Sequence, residues 1–155
     1  MSAAQVAVGV QALVAESVAV ADGRLFVHGA GWSHLRLPAV PALPGRLGIG
    51  LLISVPTERA GNPIALTLRV SGPDGEPVAL ITDPNSDTLI AAEAAGTLVA
   101  EPPPVGTPLA AQIVPLAFNL DGMRIEQTGT HDVIVEVDGA EAARVSFAVM
   151  VESAE

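Results

Sequence analysis

Three of the four Asp-Gly pairs, Asp22-Gly23, Asp121-Gly122 and Asp138-Gly139, each stand between runs in which apolar residues alternate with small or polar ones. Asp followed by Gly supplies two neighbouring residues that tolerate positive φ, as a two-residue type I′ turn requires. Each pair therefore marks a place where one strand reverses into the next. At Asp22-Gly23, Val14, Val18 and Val20 alternate with Ala15, Ser17 and Ala19 in a strand expected over 12–21, with Glu16 as its discordant member. Arg24 to His28 returns as the second arm. Before Asp121-Gly122, Val114, Leu116, Phe118 and Leu120 share one face, and Met123 to Gln127 is expected to run back. Asp138-Gly139 separates a strand with Val133, Val135 and Val137 inward from one carrying Val145, Phe147, Val149 and Val151 on one side.

The middle of the chain repeats this grammar. Leu47, Ile49, Leu51, Ile53 and Val55 form one face of a strand whose other face holds Gly48 and Gly50. Two glycines inside a strand point to a surface that another backbone approaches closely. Ile64, Leu66, Leu68 and Val70 alternate next, Pro73-Asp74-Gly75 turns the chain, and shorter strands are expected over 78–82 and 88–92. Pro38, Pro41 and Pro44 remove amide donors at every third position, which reads as an extended crossover between sheets. Ala94 to Pro108, rich in Gly, Pro and Ala and containing Pro102-Pro103-Pro104, is expected as a long loop and as the place for mobility or a partner contact. Eight or nine short strands with no helix predict an all-β fold, a two-sheet antiparallel β-sandwich that is immunoglobulin-like or jelly-roll-like. Residues 1–10 read as a leader of small residues and 11–155 as one sandwich domain.

Composition excludes more than it assigns. Seventeen acids face seven arginines and no lysine, a formal net charge of −10 that repels a phosphate backbone, so neither nucleic acid nor an anionic membrane is expected as a partner. Cysteine is absent, which removes disulfides, thiolate nucleophiles and thiolate metal ligands. Ala19-Val20-Ala21 has the look of a signal cleavage site, but the first basic residue is Arg24, and Gln5, Gln11 and Glu16 interrupt the apolar run. A cytoplasmic setting is expected.

The run Glu16 to Trp32, the proline crossover, the strand ending at Val55-Pro56 and the segment Gly129 to Gly139 together resemble a family of bacterial proteins of unknown function. Members of that family usually carry an aromatic residue where His131 stands. The resemblance implies an immunoglobulin-like sandwich and no activity, cofactor or catalytic residue.

The chemical candidates are few. His28, His34 and His131 are the only histidines, and a metal or acid–base site would need two of them to converge with a carboxylate such as Glu16, Asp22 or Asp132. Gly29-Ala-Gly31 followed by Trp32-Ser33-His34 lacks the third glycine and the helix of a phosphate loop. It also lacks the second glycine that would make Ser33 a nucleophile, because Leu35 stands there. Asp83-Pro-Asn-Ser-Asp87 has the first ligand positions of a calcium loop, but Thr88 replaces the turning glycine and the closing glutamate is missing, so an Asx-type loop is expected instead. Trp32, the one tryptophan, remains as a packing landmark or partner contact. No catalytic, cofactor-binding or metal residue is assigned. The function expected is a non-catalytic structural or protein-interaction module that self-associates or docks a protein partner. A small-molecule or carbohydrate binder is the alternative, and a hydrolase using His and Asp is third.

Overall fold

The strand Leu47–Pro56 is the axis of the molecule, in a computed structural model that describes residues 7–83, 85 and 88–152. In chain order the described residues form β1 (Gly9–Ala15), β2 (Ser17–Ala21), β3 (Arg24–His28), β4 (His34–Leu37), β5 (Leu47–Pro56), β6 (Ile64–Ser71) and β7 (Ala79–Ile81). They continue with β8 (Leu89–Ala91), β9 (Glu93–Leu98), β10 (Ala111–Leu120), β11 (Met123–Arg124), β12 (Gly129–Val137) and β13 (Ala140–Val151). Among the described residues these are thirteen strands, not eight or nine, and the one helical element is a 3-10 turn at Thr57–Arg59. The all-β reading holds. The undercount came from β4 and β9, which were not expected as strands, and from β1 and β2, which were expected as one.

Two sheets face each other. One has the order β1-β5-β10, the other β4-β13-β12-β6-β9. Their inner faces are the alternating residues of the sequence: Leu47, Ile49, Leu51, Ile53 and Val55 from β5 meet Ile64, Leu68 and Val70 from β6, Val133 and Val135 from β12, and Phe147 and Val149 from β13, all buried in one cluster. Burying such a side chain is worth about 1.5–3 kcal/mol, so this shared face fixes the register of every strand that contributes to it. Among the described residues all ladders are antiparallel except one: β4 joins β13 in parallel, His34 beside Ala148, which corrects the purely antiparallel expectation. The crossover carrying Pro38 and Pro41 lies between β4 and β5, so the chain changes sheets without making a hairpin there. A third, small sheet has the order β11-β7-β8.

The Asp-Gly pairs divide into two behaviours. Asp22-Gly23 (φ 50° and 69°) and Asp138-Gly139 (φ 50° and 84°) are two-residue turns, closing Ala21 onto Arg24 and Val137 onto Ala140. Asp121-Gly122 is not a hairpin. Gly122 presses against the carbonyl of Ile81, where a Cβ would overlap the oxygen, and its own carbonyl accepts the Ile81 N–H at 2.8 Å. The chain therefore leaves β10 to pair with β7 and does not run back along β10.

The strand expected over 12–21 is two strands. At exposed Glu16 the chain leaves β5 and enters the β2–β3 hairpin, with the Glu16 N–H donating to the His28 carbonyl at 3.1 Å. That hairpin lies on the outer face of the three-stranded sheet. Its Ser17 backbone would be 3.0 Å from a Cβ at Gly48, and its Leu25 side chain 3.0 Å from one at Gly50. The two glycines in β5 are thus where another layer comes close, as the sequence indicates. Asn119 secures the contact: its Oδ1 accepts the Val18 N–H at 3.0 Å and its Nδ2 donates to the Val18 carbonyl at 2.8 Å, standing in for a neighbouring strand.

The loop expected over 94–108 begins late. Its first residues form β9, paired with β6 from Ile64↔Leu98 to Arg69↔Glu93. Alanine and glycine are depleted in strands and outweigh the single threonine of β9; pairing with β6 decides their conformation. β1 likewise starts at Gly9, inside the stretch expected as a leader.

Candidate interaction site

The three histidines do not converge. His28 is exposed on β3 with its Nε2 3.9 Å from the Glu16 carboxylate. His34 is exposed on β4, its Nδ1 3.0 Å from the Ser33 hydroxyl. His131 is buried on β12 and stacks on Phe147, ring centroids 5.5 Å apart. The period of the strand explains the separation: His131 stands opposite Phe147 and His34 beside Ala148, and successive residues of β13 point to opposite faces of the sheet. Asp132, on the outer face, is taken by Arg144 at 3.1 Å. Asp22 occupies its turn. Among the described residues no three His, Asp or Glu side chains are grouped to hold a metal ion.

Among the described residues Ser33 has no base positioned by a carboxylate; its one side-chain partner there is the exposed His34. In the segment read as a calcium loop, Pro84, Ser86 and Asp87 lie outside the described residues. Asp83 accepts the Asn85 N–H at 2.9 Å, the bond of an Asx turn.

Trp32 is half-buried. It packs against the main core and meets Phe147 edge to face, centroids 5.8 Å apart at 74°. Its outer side borders a depression of about 530 Å³ with Glu16, His34, Pro44 and Arg46. It is a packing residue at the rim of the core, neither wholly enclosed nor free.

A different place is apolar and open to solvent. Where β9 and β10, the open edges of the two sheets, face each other, a groove of about 160 Å³ enters the sandwich. Leu66, Leu98, Leu116 and Phe118 wall it, Leu51 and Val135 floor it, and apart from two threonines its lining is apolar or glycine. Gly96 lies in the middle of β9, and among the described residues nothing comes within 4 Å of where its Cβ would be. Unlike Gly48 and Gly50, it makes room for no other described part of this protein.

The two edges differ. β10 carries Pro115 in mid-strand, which has no amide to donate, whereas β9 reads Glu-Ala-Ala-Gly-Thr-Leu, with neither proline nor lysine to discourage pairing. The sequence placed this stretch in a loop, so Gly96 and the groove were missed; a lone glycine between alanines and threonine carries no signal until the strand around it is known.

One buried charge was also missed. Arg59, 7% exposed, donates from Nη2 to Asp138 at 2.9 Å, and Asp138 accepts the Ala65 N–H as well. The pair ties the 57–63 connection to the β12–β13 turn. These bonds, Arg59's first, hold the Asp138 carboxyl below the usual carboxylate range. On the outer face of the five-stranded sheet Arg69 does the same for Glu136, and Arg144 for Glu141.

Among the described residues no helix is long and apolar enough to cross a membrane. No curated protein matches the sequence. Among solved structures the chain is similar to part of an alkylpurine DNA glycosylase, AlkC, from Pseudomonas fluorescens, bound to DNA containing an abasic site analog: 16% identity, TM-score 0.43, 92% of this chain and 30% of that one. It is similar to part of a β-glucosidase from Listeria innocua in complex with glucose, at 9% identity and TM-score 0.45, over 93% of this chain and 16% of that one. An immunoglobulin-like protein from Pseudomonas aeruginosa is similar over 94% of this chain and 98% of its own, at 14% identity and TM-score 0.39. The chain thus spans only 30% and 16% of the two enzymes, and none of these likenesses bears on its activity. The profile of a family of unknown function, DUF6941, matches residues 11–150, nearly the whole chain, and the protein belongs to that family.

Proposed function

We propose that the protein is a non-catalytic interaction module that docks an extended segment of a polypeptide beside β9, seating its apolar side chains in the β9–β10 groove. The observation that supports this most directly is Gly96. A glycine inside a strand weakens it by roughly 0.5–1 kcal/mol relative to alanine, and here no contact within the chain requires one. A glycine with open space beside it, on an unprotected edge and over an apolar groove, suits the close approach of another chain. The groove has about the volume that admits a benzene-sized group, on the order of 150 Å³. That matches one or two aliphatic side chains of an added strand. A sugar would find almost no polar partner there.

A second copy of the chain satisfies the same geometry. With Gly96 opposite its symmetry mate in an antiparallel pair, Glu93 falls opposite Val99, so no acid faces an acid in spite of the overall charge.

The test uses a display library of extended peptides selected on the intact protein, with light scattering over a concentration series to detect self-pairing. Binding by peptides with alternating apolar residues, or concentration-dependent dimers, is expected, and Gly96→Val removes it while leaving the fold at least as stable. Equal binding or dimerisation by folded Gly96→Val would refute the docking site.

A further inference from the structure

The polar counterpart of the groove lies at the other end of the β6 strand. His131 is 2% exposed, yet only one of its ring nitrogens is occupied by the protein. Its Nδ1 is 3.1 Å from the Gly129 carbonyl. A carbonyl oxygen only accepts, so Nδ1 carries the proton, and Nε2 in the neutral ring presents a lone pair. Among the described residues Nε2 has no hydrogen-bond partner. It lines a pocket of about 160 Å³ together with the turn that follows β6, Gly72 to Pro77, and with Arg124, Glu126 and Gln127.

Gly72 keeps this space open. A Cβ there would stand 3.4 Å from Asp74 Oδ1 and 3.9 Å from His131 Nε2, so both acceptors converge on the point where a side chain is absent. The turn is closed by its own backbone, Gly72 N–H to the Glu76 carbonyl at 2.9 Å and Gly75 N–H to the Gly72 carbonyl at 3.0 Å, so the acceptors are held in place without a ligand.

The charges are unbalanced. Arg124 is engaged by Glu126 at 3.1 Å, and among the described residues Asp74 and Glu76 have no cationic partner. Gln127 donates to the far oxygen of Asp74 at 3.3 Å and orients that carboxylate. What remains is an imidazole acceptor that opens to the pocket, two exposed carboxylates without a cationic partner among the described residues, and apolar walls from Pro73, Pro77, Val78 and Ala79. The described residues group no three His, Asp or Glu side chains to hold a metal ion.

We propose that this pocket binds a primary ammonium group on an alkyl stem, as found in a free alkylamine or at the end of a lysine side chain. The three N–H donors of an ammonium match the three acceptors nearest the missing side chain of Gly72, namely His131 Nε2, Asp74 Oδ1 and the Glu76 backbone carbonyl, which is 3.8 Å from that point, and the stem lies against the prolines and Val78. Lysine is absent from the chain itself, so no side chain of this sequence supplies that group. The proposal is independent of the β9 groove.

The experiment is an NMR titration of the folded protein at about pH 8 with n-butylammonium, capped lysine amide and tetramethylammonium. The readouts are the His131 ring nitrogens and the Gln127 side-chain amide. Saturable shifts with n-butylammonium are expected, with a dissociation constant on the order of millimolar. Capped lysine amide reproduces them if the ligand is a side chain, and fails to if it is a free amine. Tetramethylammonium, which has the charge and no donor, leaves both signals in place. His131→Phe keeps the ring stacked on Phe147 and removes Nε2, and is expected to weaken binding at least tenfold. Gly72→Ala, which narrows the pocket and leaves every charge intact, is expected to weaken it as well, and thermal melts of both variants confirm the fold. No shift at His131 in the native protein, equal shifts with tetramethylammonium, or undiminished binding by folded His131→Phe would each overturn the proposal.

Discussion

The same substitution, glycine to alanine, is expected to have opposite signs at two positions in this protein, because one glycine is needed by the fold and the other is not. At Gly48 the new methyl would lie 3.0–3.1 Å from three backbone atoms of Ser17. Backbone in a paired hairpin cannot swing aside as a side chain can, so the β2–β3 layer must lift off β5. Overpacking of this kind costs about 1–3 kcal/mol, against a gain of about 0.4–1 kcal/mol from restricting the unfolded chain. The net loss is about 1–2 kcal/mol, or roughly 2–8 °C in melting temperature at 2–4 °C per kcal/mol for a chain of this size. At Gly96 the methyl meets nothing within 4 Å and only the favourable term remains, a gain of about 0.4–1 kcal/mol. Gly50→Ala falls between them, since its neighbours are the ends of the Leu25 and Leu13 side chains, which can rotate. Urea denaturation of the three variants beside the native protein, with midpoints compared at equal slope, measures the series. Equal signs at Gly48 and Gly96 would contradict both the close hairpin layer and the open groove.

Asn119→Leu removes two hydrogen bonds to Val18 at nearly constant size and is expected to cost about 1–3 kcal/mol, with the Val18 amide losing its protection from hydrogen exchange before the β5 amides do. Trp32→Ala is expected to cost about 2 kcal/mol, near half of the roughly 3–5 kcal/mol of a fully buried aromatic, because the ring is half-buried on Phe147; thermal melts measure it. Acid titration tests the ion pairs. Asp138, Glu136 and Glu141 have folded-state values lowered by Arg59, Arg69 and Arg144, so the unfolded chain binds more protons as the pH drops. Their stabilisation is complete above about pH 4, the unfolded carboxylate range, and is lost as the pH falls through the lower folded values. Asp138→Asn, which keeps an acceptor for the Ala65 N–H, flattens that part of the stability curve, and unchanged acid sensitivity would count against the Arg59 pair.

What was legible in the sequence follows from period and turn chemistry. β5 and β6 carry unbroken alternation, and Asp22-Gly23 and Asp138-Gly139 carry the φ > 0 demand of their turns, so these elements lie where the residues place them. Asp121-Gly122 has the same letters and a different outcome, because the choice between β10 and β7 as the next partner is made by a contact with Ile81 that is remote in sequence. β9 was hidden for the same reason: alanine, glycine and threonine become a strand only when β6 is beside them. Gly48 and Gly50 were readable as a close-approach surface. Gly96 was not, since its meaning lies in the absence of a neighbour. Of the candidate site residues, Trp32 was found by its uniqueness, and His131 was named without any sign that one of its nitrogens would stay unoccupied.

Segment-resolved hydrogen exchange on the intact protein, with and without a selected apolar peptide or across its own dimerisation, tests the docking edge most directly. Slowed exchange at the β9 amides around Ala95 to Thr97, with the edges at β1 and β4 unchanged, is the expected result. Protection that appears at β1 or β4 and leaves β9 as fast as before would contradict it.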